Sequence, residues 1–450
     1  MNSRLTNPTI LIIIGISGDL ARRKLLPAIR KIHDAGVLPE NFRIIGISRR
    51  DISVEDVLPI GGDQEYLRSN IEIRQMDLGN EADYRALGEY LTTIEQSFGA
   101  ETQRIFYLSV PPLASQPDIE LMGLSGLSKA PRTKLLIEKP FGTDLETAEE
   151  LVENIKLHFA EDQVYRIDHY LAKEMTQNLV VFRSSNALFR NTWNKDYIES
   201  IDITAREHIG IEGRVAFYEQ TGALRDIVQS HLLQLAALTL MDLPNGDDWQ
   251  AIPASRLHTL EQLSLSGSAN DAVTRGQYRS YRQEVDNETS NVETFVSLKL
   301  ASSDPTWQGV PITLTAGKGL NDTLTEITIT YKKIGTEEPN VLILRIQPNE
   351  GVELYLWTKE PGYDRKLRQI PLSFSYSEQF EGLPEAYERV FVDAMKGDRS
   401  LFTSSDEVLA SWKILKPVQE NWKSIGDQGL IIYESGSKPG DVVGTIPAKD

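Results

Sequence analysis

Thr9-Ile10-Leu11-Ile12-Ile13-Ile14-Gly15-Ile16-Ser17-Gly18-Asp19-Leu20-Ala21 is the stretch that decides the fold. A β-rich run enters two glycines three apart, and a helical pattern follows over residues 20–33 until Ala35-Gly36 stops it. Strand, glycine turn and helix start together make a cradle for a pyrophosphate. The glycines let the backbone approach the phosphates, while the helix N-terminus offers free N–H groups and positive potential. Ala21 stands where a third small residue is needed. Taken alone, the motif competes evenly with an ordinary tight turn.

The next strand, residues 42–47, sharpens it. An enzyme that uses NAD places a carboxylate at the end of this strand to bind the ribose 2′-hydroxyl. Here the strand ends Gly46-Ile47-Ser48-Arg49-Arg50, and a guanidinium suits the extra 2′-phosphate of NADP. Two solvated arginines in a loop are the competing reading. Asp51 keeps NAD open as a second coenzyme.

Outward from the cradle, strand-like runs at residues 71–76, 104–110, 135–137 and 164–167 alternate with helical stretches such as 145–159. Strands spaced by helices imply parallel βαβ units and a doubly wound parallel sheet. After about residue 175 the rhythm changes. Ile201, Ile203 and Ala205 alternate with polar neighbours, and the same period returns at residues 293–300 and 326–331. Runs at 341–346 and 352–357 complete a strand-rich region. One helix is expected over 222–241, and another over 384–396 between Pro384 and Gly397. Ser404 and Glu407 form a capping box for a helix through residue 415. Residues 243–291 show the least pattern, and 435–450 read as a loose tail. The expectation is α/β followed by α+β: residues 1–170 bind the coenzyme, and 171–450 form a domain with a large, mostly antiparallel sheet.

Composition bounds the function. A chain of 450 residues exceeds one ordinary core, and 40% apolar with 25% charged residues is the balance of a soluble globular protein. With no cysteine, thiolate nucleophiles, disulfides and cysteine-ligated zinc are excluded. No metal is expected. The apolar run at 10–14 is too short for a signal-peptide core, and residues 232–241 fall far below the roughly 20 needed to cross a bilayer. A cytoplasmic location is expected. The net charge of -18 argues against nucleic acid or an anionic membrane as partner.

Three segments carry candidate chemistry toward a substrate. Ile137-Glu138-Lys139-Pro140-Phe141-Gly142 ends a strand, where open parallel sheets face their ligands, and Lys139 can hold a hydroxyl or phosphate. Arg166-Ile167-Asp168-His169-Tyr170-Leu171-Ala172-Lys173-Glu174 crowds ionisable groups at another strand end. His169, Tyr170 and Lys173 can grip a phosphate dianion, and Asp168 can orient a base. A solvated loop is the alternative. The third segment runs from Arg206-Glu207 through Asp226 to His231. A histidine in so apolar a helix is more often a satisfied core residue, yet oxidising an alcohol requires loss of its hydroxyl proton, and histidine has a matching pKa. On α-helical geometry Asp226 stands about 140° around the helix from His231, a poor placement for an orienting carboxylate.

These residues resemble ordered motifs of the glucose-6-phosphate dehydrogenase family: the turn at 15–21, Glu138-Lys139-Pro140-Phe141-Gly142, the stretch 166–174 and Gln229-Ser230-His231. Thr294-Phe295-Val296, Gln347-Pro348-Asn349-Glu350 and Glu385-Ala386-Tyr387-Glu388-Arg389 extend the resemblance over nearly the whole chain. It implies that glucose 6-phosphate is oxidised at C1 with hydride transfer to NADP, in the oxidative pentose phosphate pathway. His231 would be the general base and Asp168 its partner. His169, Tyr170 and Lys173 would bind the phosphate. Lys139, Glu207 and Asp226 would hold sugar hydroxyls, with Lys318 and Gln347 nearby. Gly15, Ser17, Gly18, Asp19, Leu20, Lys24, Arg49, Tyr107 and Lys139 would line the coenzyme site. The implied fold joins a Rossmann-like domain to an α+β domain whose sheet makes a homodimer, or a dimer of dimers. Three departures stand out: Ala172 replaces a usual glycine, Ala316 precedes Gly317-Lys318, and Thr323 stands where a second cation is common. Oxidoreductases of the glucose-fructose type share the cradle and the Glu-Lys-Pro strand end, but not 166–174 together with His231. Other sugar phosphates, or a catalytically silent sensor of sugar phosphate and NADP, are the remaining alternatives.

Overall fold

The computed structural model describes residues 4–61, 64–110, 112–244, 248–335 and 337–444. Six strands open the chain: β1 (Thr9–Ile14), β2 (Phe42–Ser48), β3 (Ile71–Gln75), β4 (Gln103–Leu108), β5 (Thr133–Ile137) and β6 (Val164–Ile167). Nine follow: β7 (Ile198–Arg206), β8 (Leu263–Leu265), β9 (Val273–Tyr278), β10 (Phe295–Ser302), β11 (Ile312–Gly317), β12 (Leu324–Tyr331), β13 (Val341–Gln347), β14 (Gly351–Lys359) and β15 (Leu367–Ser375). Two short strands come last, β16 (Phe402–Thr403) and β17 (Leu430–Tyr433).

Two compact units divide the chain. The first holds Met1–Gly142, Glu146–Ala172 and Pro384–Val408; the second holds Thr143–Leu145, Lys173–Leu383 and Leu409–Asp450.

The first unit is built on one sheet, ordered β16-β6-β5-β4-β1-β2-β3. Its members are parallel except for β16, which runs antiparallel to β6. Every residue of β1 and of β4 is buried, as befits central strands of a sheet buried on both faces. This is the doubly wound parallel sheet expected, with the switch from β4 to β2 on either side of β1. A single boundary between residues 170 and 171 does not anticipate the return of Pro384–Val408. That segment returns because its helix, Ala386–Lys396, buries Val390, Phe391, Ala394 and Met395 in a core with Leu11, Ile29, Ile32 and Ile105. An amphipathic helix announces an apolar face, but not which sheet will receive it.

A ten-stranded sheet forms the second unit, ordered β15-β14-β13-β12-β7-β11-β10-β9-β17, with β8 beside β10. Only β7 with β11, and β9 with β17, pair in parallel; the other pairs are antiparallel. β13 alternates half-buried and buried positions along its length, the period its residues predict.

Three expectations need correction. Residues 222–241 are not one α-helix: an α-helix, Val215–Ala223, breaks at Gly222 (φ 60°, ψ −176°), a π-helix follows over Leu224–Leu232, and an α-helix resumes at Leu233–Leu240. The first helix of the cradle also opens on a π-turn, Ala21–Leu25, before α-helix Leu26–Asp34. The tail is not loose as far as it is described. Ser437 bridges to Leu320, helix Pro439–Gly444 forms, and Val442 joins a core with Tyr278, Phe295 and Tyr433. Residues 445–450 lie outside the described residues. The capping box at Ser404 and Glu407 forms in both directions, and its helix runs on to Ile425.

Candidate active site

The site residues divide between the two units. In the first, β1 ends on a turn folded against β2. The Gly15 N–H donates to the Ile47 carbonyl at 3.0 Å, and the Gly18 N–H to the Gly15 carbonyl at 3.0 Å. Gly15 has φ +86°, and a Cβ on it would stand 2.5 Å from the Ser109 carbonyl oxygen. No side chain fits there, so bare backbone forms the floor of the turn. The Ser109 hydroxyl beside it is buried with no hydrogen-bond partner among the described residues. Ser17, Gly18 and Leu20 are half-buried, and Arg22, Arg23, Lys24 and Arg49 are exposed. Asp19 pairs with Arg23 at 2.7 Å. A backbone cradle, an orphaned hydroxyl and a collar of cations without a carboxylate closing β2 fit the phosphates of NADP.

Tyr107 lies on β4, the strand next to β1. It is fully buried, and its hydroxyl donates to Glu138 at 2.5 Å. The Tyr387 hydroxyl, from the returning helix, donates to the same oxygen at 3.2 Å. Burial raises the Glu138 carboxyl, opposed by these two tyrosines and by Lys139. The tyrosines thus hold the strand end that presents Lys139. At the end of β6, Asp168 is buried, and one of its carboxylate oxygens accepts the Tyr170 N–H at 2.9 Å while its carbonyl accepts the Leu171 N–H at 3.0 Å. This tight turn sets His169 beside Tyr170, ring centroids 4.9 Å apart.

In the second unit, Lys173 precedes helix Glu174–Ser185. That helix is capped from the loop after β13, where Glu350 accepts the Met175 N–H at 2.7 Å. Burial raises the Glu350 carboxyl, while the Met175 N–H and the Lys173 charge lower it. Gln347 closes β13 at the start of that loop. Glu207 and Lys318 meet directly: the ammonium is buried and bonded to the carboxylate, over the ring of Tyr218 at 5.6 Å. Lys318 N–H donates to the Thr294 carbonyl at 2.9 Å, and its carbonyl accepts the Tyr433 hydroxyl at 2.6 Å. Thr323, in place of a cation, accepts the His208 N–H at 3.0 Å.

The π-helix changes the geometry expected of Asp226 and His231. Its bonds close on the fifth residue, as from Leu233 N–H to the Val228 carbonyl. Residues five apart therefore fall on the same side of the helix. Asp226 and His231 share a face, where α-helical spacing would part them. Asp226, Gln229, Ser230 and His231 are all buried, an unusual load of polar groups for one helix. Tyr218 is buried too, its hydroxyl unpartnered among the described residues; burial, then Asp226, Glu293, Tyr433 and Glu207, push its pKa far up.

Residues 12–178 match the family described as "Glucose-6-phosphate dehydrogenase, NAD binding domain", and residues 180–449 match "Glucose-6-phosphate dehydrogenase, C-terminal domain". The chain belongs to the glucose-6-phosphate dehydrogenase family. A glucose-6-phosphate 1-dehydrogenase of Chlamydia muridarum is 37% identical, over 93% of this chain and 91% of the relative. A solved structure described as glucose-6-phosphate dehydrogenase in complex with its substrate glucose-6-phosphate superposes with TM-score 0.90 at 31% identity, covering 99% of this chain and 98% of that one. Glucose-6-phosphate 1-dehydrogenase from Mycobacterium avium gives TM-score 0.84 at 29% identity, covering 98% and 96%.

Reading the sequence assigned no role to Glu138, Glu350 or Tyr387, although each lies in a quoted motif. Glu138 and Glu350 are acidic residues at or just past the end of a strand, which is a signal for capping and anchoring work. Nothing local distinguishes a π-turn from an α-turn in residues 224–232.

Proposed function

We propose that the chain oxidises glucose 6-phosphate at C1 to 6-phosphogluconolactone, with NADP as acceptor. When bound, NADP supplies the nicotinamide ring that takes the C1 hydride. His231 removes the proton of the C1 hydroxyl as that carbon is oxidised, and Asp168 orients and stabilises the imidazolium. His169, Tyr170 and Lys173 bind the 6-phosphate. Lys139, Glu207, Asp226, Lys318 and Gln347 hold the sugar hydroxyls and ring. The Gly15–Gly18 turn receives the pyrophosphate, and Arg49 the 2′-phosphate, which favours NADP over NAD.

The observation that carries this reading is the buried face of the π-helix that Asp226 and His231 share, which brings a carboxylate and an imidazole to one side of the helix. Beside it, the Glu207–Lys318 pair offers an acceptor and donors for hydroxyl groups. The first unit is the coenzyme domain and the second the substrate domain in this proposal. A homodimer, or a pair of dimers, through the large sheet is supported by the apolar surface of β15, where Leu372 is 56% exposed and Phe374 37%. No described helix is long and apolar enough to cross a membrane; a cytoplasmic location remains part of the proposal.

The test is direct. Purified protein is given glucose 6-phosphate, or other hexose phosphates, with NADP or NAD, and reduced coenzyme is followed by absorbance. Glucose 6-phosphate with NADP should be the fastest pair. Absence of reduction by every pair would leave only the silent sensor.

A further inference from the structure

We infer that Glu293 is a positioning residue for the reaction, setting the π-turn that puts Asp226 and His231 on one face. This inference rests on the functional reading above. Glu293 lies two residues before β10, and it is 3% exposed. Its main-chain carbonyl accepts the Ala223 N–H at 2.9 Å, and its carboxylate accepts the Leu224 N–H at 2.9 Å. One residue thereby satisfies two successive N–H groups where the π-helix begins, groups that would otherwise be left without partners. A carboxylate there also complements the positive end of the helix.

The fit is close on the other side. Gly222 turns the chain at φ 60° two residues before the π-helix, in a region open to glycine. A Cβ on it would stand 2.7 Å from the carboxylate carbon of Glu293. The glycine and the glutamate therefore require each other: the missing side chain is the space the carboxylate fills. Burial raises the carboxyl, while the Arg225 charge and the Leu224 N–H draw it back.

Glu293 also links two parts of the substrate half. Its neighbour Thr294 accepts the Lys318 N–H at 2.9 Å, so one dipeptide anchors both the π-helix and the lysine paired with Glu207. A π-turn needs such an outside hold, because the same residues can close α-helical bonds instead. Losing the hold lets the turn relax, and five-residue spacing then separates Asp226 from His231 by about 140°.

Three variants separate this role from plain structural support. Glu293→Asp keeps the charge but falls a methylene short of the Leu224 N–H. Glu293→Gln keeps the reach and an oxygen acceptor but loses the charge. Glu293→Ala loses both. Steady-state kinetics should show kcat down by roughly 10- to 100-fold in Glu293→Asp and Glu293→Ala, as misplacement of a base by an ångström does. KM for NADP should be unchanged, and Glu293→Gln should restore kcat to near the parent's. Should Glu293→Ala not fold, the Asp and Gln variants still make the comparison, with circular dichroism to check their fold. Parental kcat in Glu293→Asp, or a Glu293→Gln as impaired as Glu293→Asp, would overturn the inference. An inactive parent would instead refute the functional reading itself.

Discussion

The glycine turn of the first unit and the π-turn of the second both present polar groups by distorting regular structure, but they do so from different sources. At Gly15 the distortion is local. A positive φ and the nearness of the Ser109 carbonyl demand glycine, so the residue itself declares the conformation. At residues 224–232 the distortion is imposed from outside by Glu293, some seventy positions along the chain, and the π-turn's own residues declare nothing. Phosphate cradles are therefore readable as motifs, whereas the register of this π-helix is readable only from its tertiary hold.

This contrast predicts separable losses. The largest belongs to the π-turn. His231→Asn should lower kcat by about 10²- to 10⁴-fold or more, the usual worth of one general base, while calorimetry still finds sugar-phosphate binding. Near-parental turnover would move the base elsewhere and end the special status of that face.

A smaller effect belongs to the cradle. Arg49→Ala should cut the preference for NADP over NAD by roughly 10- to 100-fold, the value of one or two charge-assisted hydrogen bonds, with kcat little changed. An unchanged ratio would remove Arg49 from the coenzyme site and leave the cradle with pyrophosphate alone.

The smallest effect on turnover concerns Asp118. It is buried in the first unit, accepts the Tyr84 hydroxyl at 2.7 Å, and is held at about 6 by burial, against the Arg49 charge. Its unfolded value is near 3.9. Because the folded carboxyl keeps its proton longer than the unfolded one, stability falls as pH rises from about 4 to about 6. Asp118→Asn should flatten that decline and stabilise the protein at pH 7, by at most about 3 kcal/mol, leaving kcat alone. Urea unfolding across this pH range checks it; identical curves would mean the carboxyl is not held as described.

Much of the fold was legible because its rules are local. The runs at residues 9–14, 42–47 and 164–167 became β1, β2 and β6, and the alternation at 326–331 became β12. Lys139, Asp168 and Arg49 all fall just past strand ends, where the glycine motif and parallel order place a ligand crevice. What was not legible depends on distant partners. The return of Pro384–Val408 to the first sheet is settled by a shared core, and the packing of Val442 by an aromatic cluster assembled from β9, β10 and β17. The 140° separation of Asp226 and His231 was sound α-helical geometry applied to a helix that is not α. No pattern within nine residues corrects that.

The central claim is that hydrogen leaves C1 of the sugar for the coenzyme while His231 takes the hydroxyl proton. Glucose 6-phosphate carrying deuterium at C1 should be turned over with NADP, and the reduced coenzyme examined by mass spectrometry. The account predicts one deuterium per reduced coenzyme and none released to water. Deuterium in the solvent, or retained on the sugar product, would contradict it.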